Sequence, residues 1–287
     1  MTNVDQFESL FRSAVKEVYQ YEPIAIPNFL IIADFEQAKA YAWSEQVKSF
    51  LSVLSDESES VVWDVIAGGE FDSIEELLAI VEGKAPDMIC TYRHLHSNQW
   101  RQPYSLGDYI EVLTQATDIP VMVLPHPEAK RASTHALKDT NVVMAITDHL
   151  TGDNRLVNYA ARFIEKKGVL FLTHVEDQST FDRFIDVISK IPNLDTDLAR
   201  DEISKQLLKE PLDFILSCRN GLNEHQSSIH IEEIVTMGHH LSTYKQLVQE
   251  HHVDLLVMNT KDEDQIAMHG MAYPLAVELR EIPLLML

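Results

Sequence analysis

The sequence predicts an α/β fold of two doubly wound, parallel-sheet domains in tandem, the first lacking its first strand. Three observations carry this. A phrase of strand, helix and strand occurs once in each half. The first copy runs from Gly69 through Pro86-Asp87-Met88-Ile89 and Gly107 to Ile119-Pro120-Val121-Met122-Val123-Leu124. The second runs from Gly238 through Val253-Asp254-Leu255-Leu256 and Gly270 to Ile282-Pro283-Leu284-Leu285-Met286-Leu287. Gly107 precedes Pro120 by thirteen residues, and Gly270 precedes Pro283 by the same thirteen, a matched spacing that marks an internal repeat. Finally, short apolar runs alternate with stretches of helical spacing, the pattern of right-handed parallel crossovers. A chain of 287 residues holds two such units, each with a core of its own. Residues 1–126 are read as the first unit, 127–140 as a linker and 141–287 as the second unit.

In the second half, Val142-Val143-Met144-Ala145-Ile146 reads as a strand, and Leu156, Val157, Ala160, Ala161, Phe163 and Ile164 fall at helical spacing after Gly152-Asp153. Gly168 stops that helix, and Val169 to Thr173 is the next strand, closed by His174-Val175-Glu176-Asp177. Phe181, Phe184, Ile185 and Ile188 mark a helix broken at Pro192. An acidic stretch with an amphipathic segment from Leu198 to Cys218 reads as an insertion. The alternation resumes with a strand from Ile229 to Thr236, a helix from Leu241 to His251 and a strand from Val253 to Met258. A short helix from Tyr273 to Leu279 and a strand from Ile282 to Leu287 complete it.

The first half copies this with one element missing. Phe7, Leu10, Phe11, Ala14, Val15 and Val18 form an amphipathic helix with no strand before it. Strands then follow at Phe29–Ala33, Val61–Ile66, Met88–Thr91 and Val121–Leu124, separated by helices at Trp43–Leu54, Ile74–Val81 and Leu106–Leu113. Pro125 to Thr140, rich in Pro, Lys, Ala and Thr, is the linker.

Composition narrows the function classes. The apolar share is 45%, and no apolar run approaches the ~20 residues of a membrane span. Met1-Thr2-Asn3-Val4-Asp5 has neither a basic start nor an apolar signal core, so a cytoplasmic protein with Cys90 and Cys218 reduced is expected. A net charge of −22 repels phosphate backbones and anionic membrane surfaces, which argues against nucleic acid and membrane as partners.

Met144-Ala145-Ile146-Thr147-Asp148 ends in an acidic residue, Leu172-Thr173-His174-Val175 follows as a second strand, and Gly238 stands after the third. Asp254-Leu255-Leu256-Val257-Met258, Gly270 and Ile282-Pro283-Leu284-Leu285-Met286 complete the series. In this order the chain resembles the universal stress protein family in its tandem form, closely over 141–287, well over about 60–124 and loosely elsewhere.

The resemblance implies the adenine nucleotide α-hydrolase-like form of the doubly wound fold and a stress-response or regulatory role. In one subclass it also implies ATP held by a loop of glycine, two residues, glycine, nine residues, then glycine with serine or threonine. Such loops cradle phosphate with backbone N–H groups and a helix N-terminus. This sequence departs from that pattern. Asn259 and Asp262 replace the glycines in the second half, seven residues separate Asp262 from Gly270, and Met271 replaces the hydroxyl. In the first half Tyr92 and Leu95 replace the glycines, eleven residues precede Gly107, and Asp108 follows it. The expectation is degenerate loops that disfavour ATP or another adenine nucleotide. Thr147, Asp148, Val175, Met258, Asn259, Gly270 and Met271 are then the residues of a small-ligand site in the second unit. The family's last strand mediates dimerisation, so Val121, Val123, Leu284 and Met286 are expected to join the two units as an intramolecular pseudodimer. A further homodimer and a protein partner remain open.

Other residues offer alternatives. Asp148-His149 at a strand end is the best acid/base pair, and the competing class is a slow ATPase or transferase using that crevice. His94 and His96 near Cys90 have no second ligand pair at a recognised spacing, so no metal is expected. The loop from Tyr92 to Tyr104, with His94, His96, Trp100 and Arg101, is either a partner surface, a lid over a small ligand or packing between the halves. The sequence is read as that of a non-catalytic stress-response or regulatory protein.

Overall fold

The computed structural model describes residues 18–55, 60–101, 104–130, 132–147, 150–225, 228–260 and 271–287. The helix expected from Phe7, together with Asp148, His149, Asp262 and Gly270, lies outside the described residues. The first half contributes β1 (Asn28–Ile32), α1 (Gln37–Phe50), β2 (Val62–Ile66), α2 (Ile74–Lys84), β3 (Met88–Tyr92), α3 (Asp108–Ala116) and β4 (Val121–Leu124). The second contributes β5 (Val142–Ile146), α4 (Asn154–Phe163), β6 (Val169–Asp177), α5 (Gln178–Ser189), α6 (Thr196–His225), β7 (His230–Gly238), α7 (His240–Glu250), β8 (Leu255–Met258), α8 (Ala272–Glu278) and β9 (Leu284–Met286). Among the described residues no helix is long and apolar enough to cross a membrane.

These strands form one sheet in the order β2-β1-β3-β4-β9-β8-β5-β6-β7. Every neighbouring pair is parallel except β4 with β9, where Val121, Met122 and Val123 face Met286, Leu285 and Leu284. All seven residues of these two short strands are buried. Strands so apolar cannot leave an edge in water, and each covers the other. In the second half β5 lies between β6 and β8. In the first half β1 pairs directly with β3, so among the described residues that sheet closes over the place of its missing central strand.

The chain before β1 crosses to the other half. Tyr19 donates its backbone N–H to Ser217 Oγ (3.0 Å) and its hydroxyl to Asn158. Its ring lies over Gly221 of α6, where a Cβ would sit 2.8 Å from Tyr19 Cδ1. Tyr21 stacks on His225 at 4.5 Å, and Arg162 of α4 donates to the carbonyls of Ile24 (3.2 Å) and Val53 (3.3 Å).

Three boundaries differ from expectation. α1 begins at Gln37 rather than Trp43, because Gln37 to Lys39 are exposed and carry no apolar signal. His174 to Asp177 continue β6 rather than closing it, because β7 pairs along all nine residues to Gly238. The insertion forms one 30-residue helix through Pro211, with Phe214, Ile215, Cys218 and Leu222 buried.

Leu285→Asp places a carboxylate in the dry β4–β9 seam and is expected to remove several kcal/mol of stability, whereas Leu285→Met costs less than about 1.5 kcal/mol. Urea unfolding of both variants checks this. An aspartate variant as stable as wild type contradicts the seam.

Candidate functional site

Ligands in open parallel sheets bind beyond the carboxyl ends of the strands, where connections leave in opposite directions. In the second half β5 leads to β6 and β7 on one side, while β8 and β9 lie on the other, so the crevice is at the ends of β5 and β8. Met258, the last residue of β8, is paired with Ile146, and Thr147 follows directly. The Val175 N–H donates to the Tyr244 hydroxyl (3.1 Å), which donates in turn to the Thr147 carbonyl (3.5 Å). Tyr244, on α7, has no exposed surface. Asn259 donates its side-chain amide to Asp153, whose other carboxylate oxygen caps α4 by accepting the Leu156 N–H at 3.0 Å. Burial raises the Asp153 carboxyl against these two donors. Met271 packs half-buried at the start of α8.

Of the ligand residues expected from sequence, Thr147 and Val175 meet through Tyr244, Met258 lies one register position away, and Asn259 is engaged by Asp153. Met271 makes none of these contacts, and Asp148 and Gly270 lie outside the described residues. Sequence reasoning missed both engaging residues. Tyr244 sits inside a helix that only apolar spacing announces, and Asp153 shows in the sequence only as the residue before a helix.

The carboxyl edge of the first half is occupied differently. Tyr92 ends β3, and its buried ring lies 5.3 Å from Phe35, 5.0 Å from Trp43 and 5.1 Å from His126. Its hydroxyl donates to Asp34, which also accepts the His96 N–H (2.8 Å). Burial and this carboxylate raise the Tyr92 hydroxyl, keeping it a donor. Leu95, in the place of the second glycine, is buried. His94 has φ +61° and His96 φ +52°, and a Cβ on Gly107 would meet His94 Cα at 2.8 Å, so the turn needs a glycine there.

Neither ring nitrogen of buried His94 makes a hydrogen bond of good geometry, and burial, then Arg93, lowers its pKa. Arg93 reaches the other half, donating to the carbonyls of Ala276 and Leu279 (2.7 Å for the latter). Tyr104 is 85% exposed. Among the described residues no group of three or more His, Cys, Asp or Glu is placed to hold a metal ion.

Two buried groups titrate in opposite senses. Burial lowers His126 to about 4, against the pull of Asp34 and Glu128. Its stability contribution is complete above the free-histidine value near 6.5 and is lost as pH falls toward 4. Burial raises Asp254, which accepts the Val142 N–H at 2.9 Å, to about 6. Its contribution is complete below 3.8 and is lost as pH rises through 6. Each is on the order of 3 kcal/mol, so over pH 4 to 6 they oppose one another. Asp254→Asn removes one slope and leaves the histidine unopposed. Its denaturation midpoint is expected to fall more steeply than that of wild type between pH 6.5 and 4. Equal slopes contradict the assignment.

Comparison with known proteins bears on the fold. No family model and no curated protein matches the sequence. The structure is similar to that of a universal stress protein from Archaeoglobus fulgidus, with a TM-score of 0.50 and 11% identity, covering 90% of this chain and 95% of that one. It is also similar to a functionally unknown protein from Pseudomonas aeruginosa PAO1, with a TM-score of 0.48 and 12% identity, covering 92% of each. The chain thus has the α/β fold, dominated by parallel strand pairs, that the universal stress proteins have.

Proposed function

We propose that this chain is a non-catalytic stress-response or regulatory protein of the cytoplasm, built as an intramolecular pseudodimer of two universal-stress-protein-like units. The units are residues 1–126 and 141–287, joined by 127–140. The antiparallel β4–β9 pair supports this, since the strand order runs outward from it as β4-β3-β1-β2 on one side and β9-β8-β5-β6-β7 on the other.

The observation that carries the regulatory reading is that side chains of the protein itself engage the strand ends where a nucleotide would bind. The Asp34 carboxylate accepts the Tyr92 hydroxyl together with the His96 backbone N–H, and Asp153 holds Asn259. A carboxylate at such a point opposes a triphosphate by about 1 kcal/mol or more at an effective dielectric of ~20. The second unit's carboxyl edge is where a small ligand would act, and the exposed Tyr104 loop of the first is a surface for a partner.

A thermal-shift titration with ATP, ADP and AMP, with and without magnesium, tests this. The wild-type protein is expected to show no saturable shift. A nucleotide at ~100 times its dissociation constant stabilises by about 2.7 kcal/mol, several degrees, which the assay resolves. Such a shift, lost in Asp148→Ala, overturns the reading in favour of a working nucleotide site.

A further inference from the structure

The last β5–β6 pair is Ile146 with Thr173; the carbonyl of Thr147 follows directly on β5, and the backbone N–H of Val175 lies two residues further along β6, on the edge where ligands of such sheets are held. A donor and an acceptor side by side suit the edge of a planar ring that carries a hydroxyl or an amide-like pair. In this protein one hydroxyl meets both, accepting from Val175 at 3.1 Å and donating to Thr147 at 3.5 Å. It belongs to Tyr244, brought over β6 by α7 and fully buried, with the His240 ring 6.2 Å away one turn before it. Buried polar groups left unmet are costly, so the hydroxyl does here what a ligand atom would otherwise do.

We infer that Tyr244 is a built-in occupant of the second half's crevice and the residue that determines what it admits: while its phenol is in place, ring-bearing ligands that need the Val175 and Thr147 backbone groups are excluded. This rests on the proposal that the carboxyl edge of the second half is a ligand site, and it adds the device that keeps that site filled. The ligand class follows from what the phenol replaces. A competitor must bring one planar ring with a donor and an acceptor on the same edge, as a hydroxylated aromatic or a nucleobase does. Truncating a core aromatic leaves a cavity that a small aromatic molecule can refill.

The test is a thermal-shift and calorimetric titration of full-length wild type, Tyr244→Ala and Tyr244→Phe with two probes, phenol and adenosine. Tyr244→Ala is expected to melt several degrees below wild type and to recover part of that loss with saturable phenol binding. Wild type and Tyr244→Phe, which keep the ring, are expected to respond to neither probe. Binding of adenosine as well as phenol to Tyr244→Ala supports both the plug and the ligand-site proposal. Binding of phenol alone supports the plug while removing the nucleobase from the ligand class. A folded Tyr244→Ala that binds neither probe overturns the inference, as does adenosine binding equally to wild type and variant.

If Tyr244→Ala does not fold, Tyr244→Phe decides by amide hydrogen exchange. Loss of the hydroxyl is expected to speed exchange of the Val175 amide at least tenfold while its β6 neighbours stay protected. An unchanged Val175 rate overturns the inference.

Discussion

The fold depends on the pairing of two short apolar edges, β4 and β9. Each is buried along its whole length, and each already has a parallel neighbour on one side only. Left apart, both would expose a row of backbone groups flanked by Val, Met and Leu, a poor surface in water and a template for aggregation. Joined antiparallel, they make the nine strands of the described residues into one sheet and turn the two halves head to tail. The carboxyl edge of the first half then lies beside the amino edge of the second.

That arrangement explains Arg93. It leaves β3 at the first half's carboxyl edge and meets the last turn of α8 at the second half's amino edge, where helix carbonyls lack partners. A cation at a helix C-terminus also suits the helix dipole. Burial, with Arg280 nearby, lowers its pKa to about 9, which leaves it charged at neutral pH. A second tie acts from outside the sheet. The segment before β1 runs over α4 and α6 instead of supplying a strand beside β3, and Gly221 leaves the space that the Tyr19 ring fills. Among the described residues the first half thus has no strand between β1 and β3, and its chain is used to hold the second half from without.

Much of this was legible in the residues. The repeat of a glycine thirteen positions before a proline located β4 and β9, and uninterrupted apolar character marked them as edges needing cover. Apolar periodicity placed each described strand and helix, since burial on one face is what it records. It failed where burial was absent or shared. The polar first turn of α1 gave no signal, and the tail of β6 looked like a strand end because His174-Val175-Glu176-Asp177 is mixed in polarity. Only its partner β7, more than fifty residues on, makes it a strand. At the candidate site, the sequence reading named Thr147, Val175 and Asn259, but not Tyr244 or Asp153, which hydrogen-bond to them. An apolar-spaced helix hides a tyrosine whose hydroxyl reaches a strand end, and a helix cap gives no sign that its second oxygen is used by a residue over a hundred positions away.

Native-state amide hydrogen exchange tests the dependence on the seam most directly. If β4 and β9 hold the two halves in one sheet, the amides of Val121 to Val123 and Leu284 to Met286 exchange as slowly as those of the central strands β3 and β8. They then open only with them. Rapid exchange at the seam, with β3 and β8 still protected, would show two separately stable halves that merely touch, and would contradict the account.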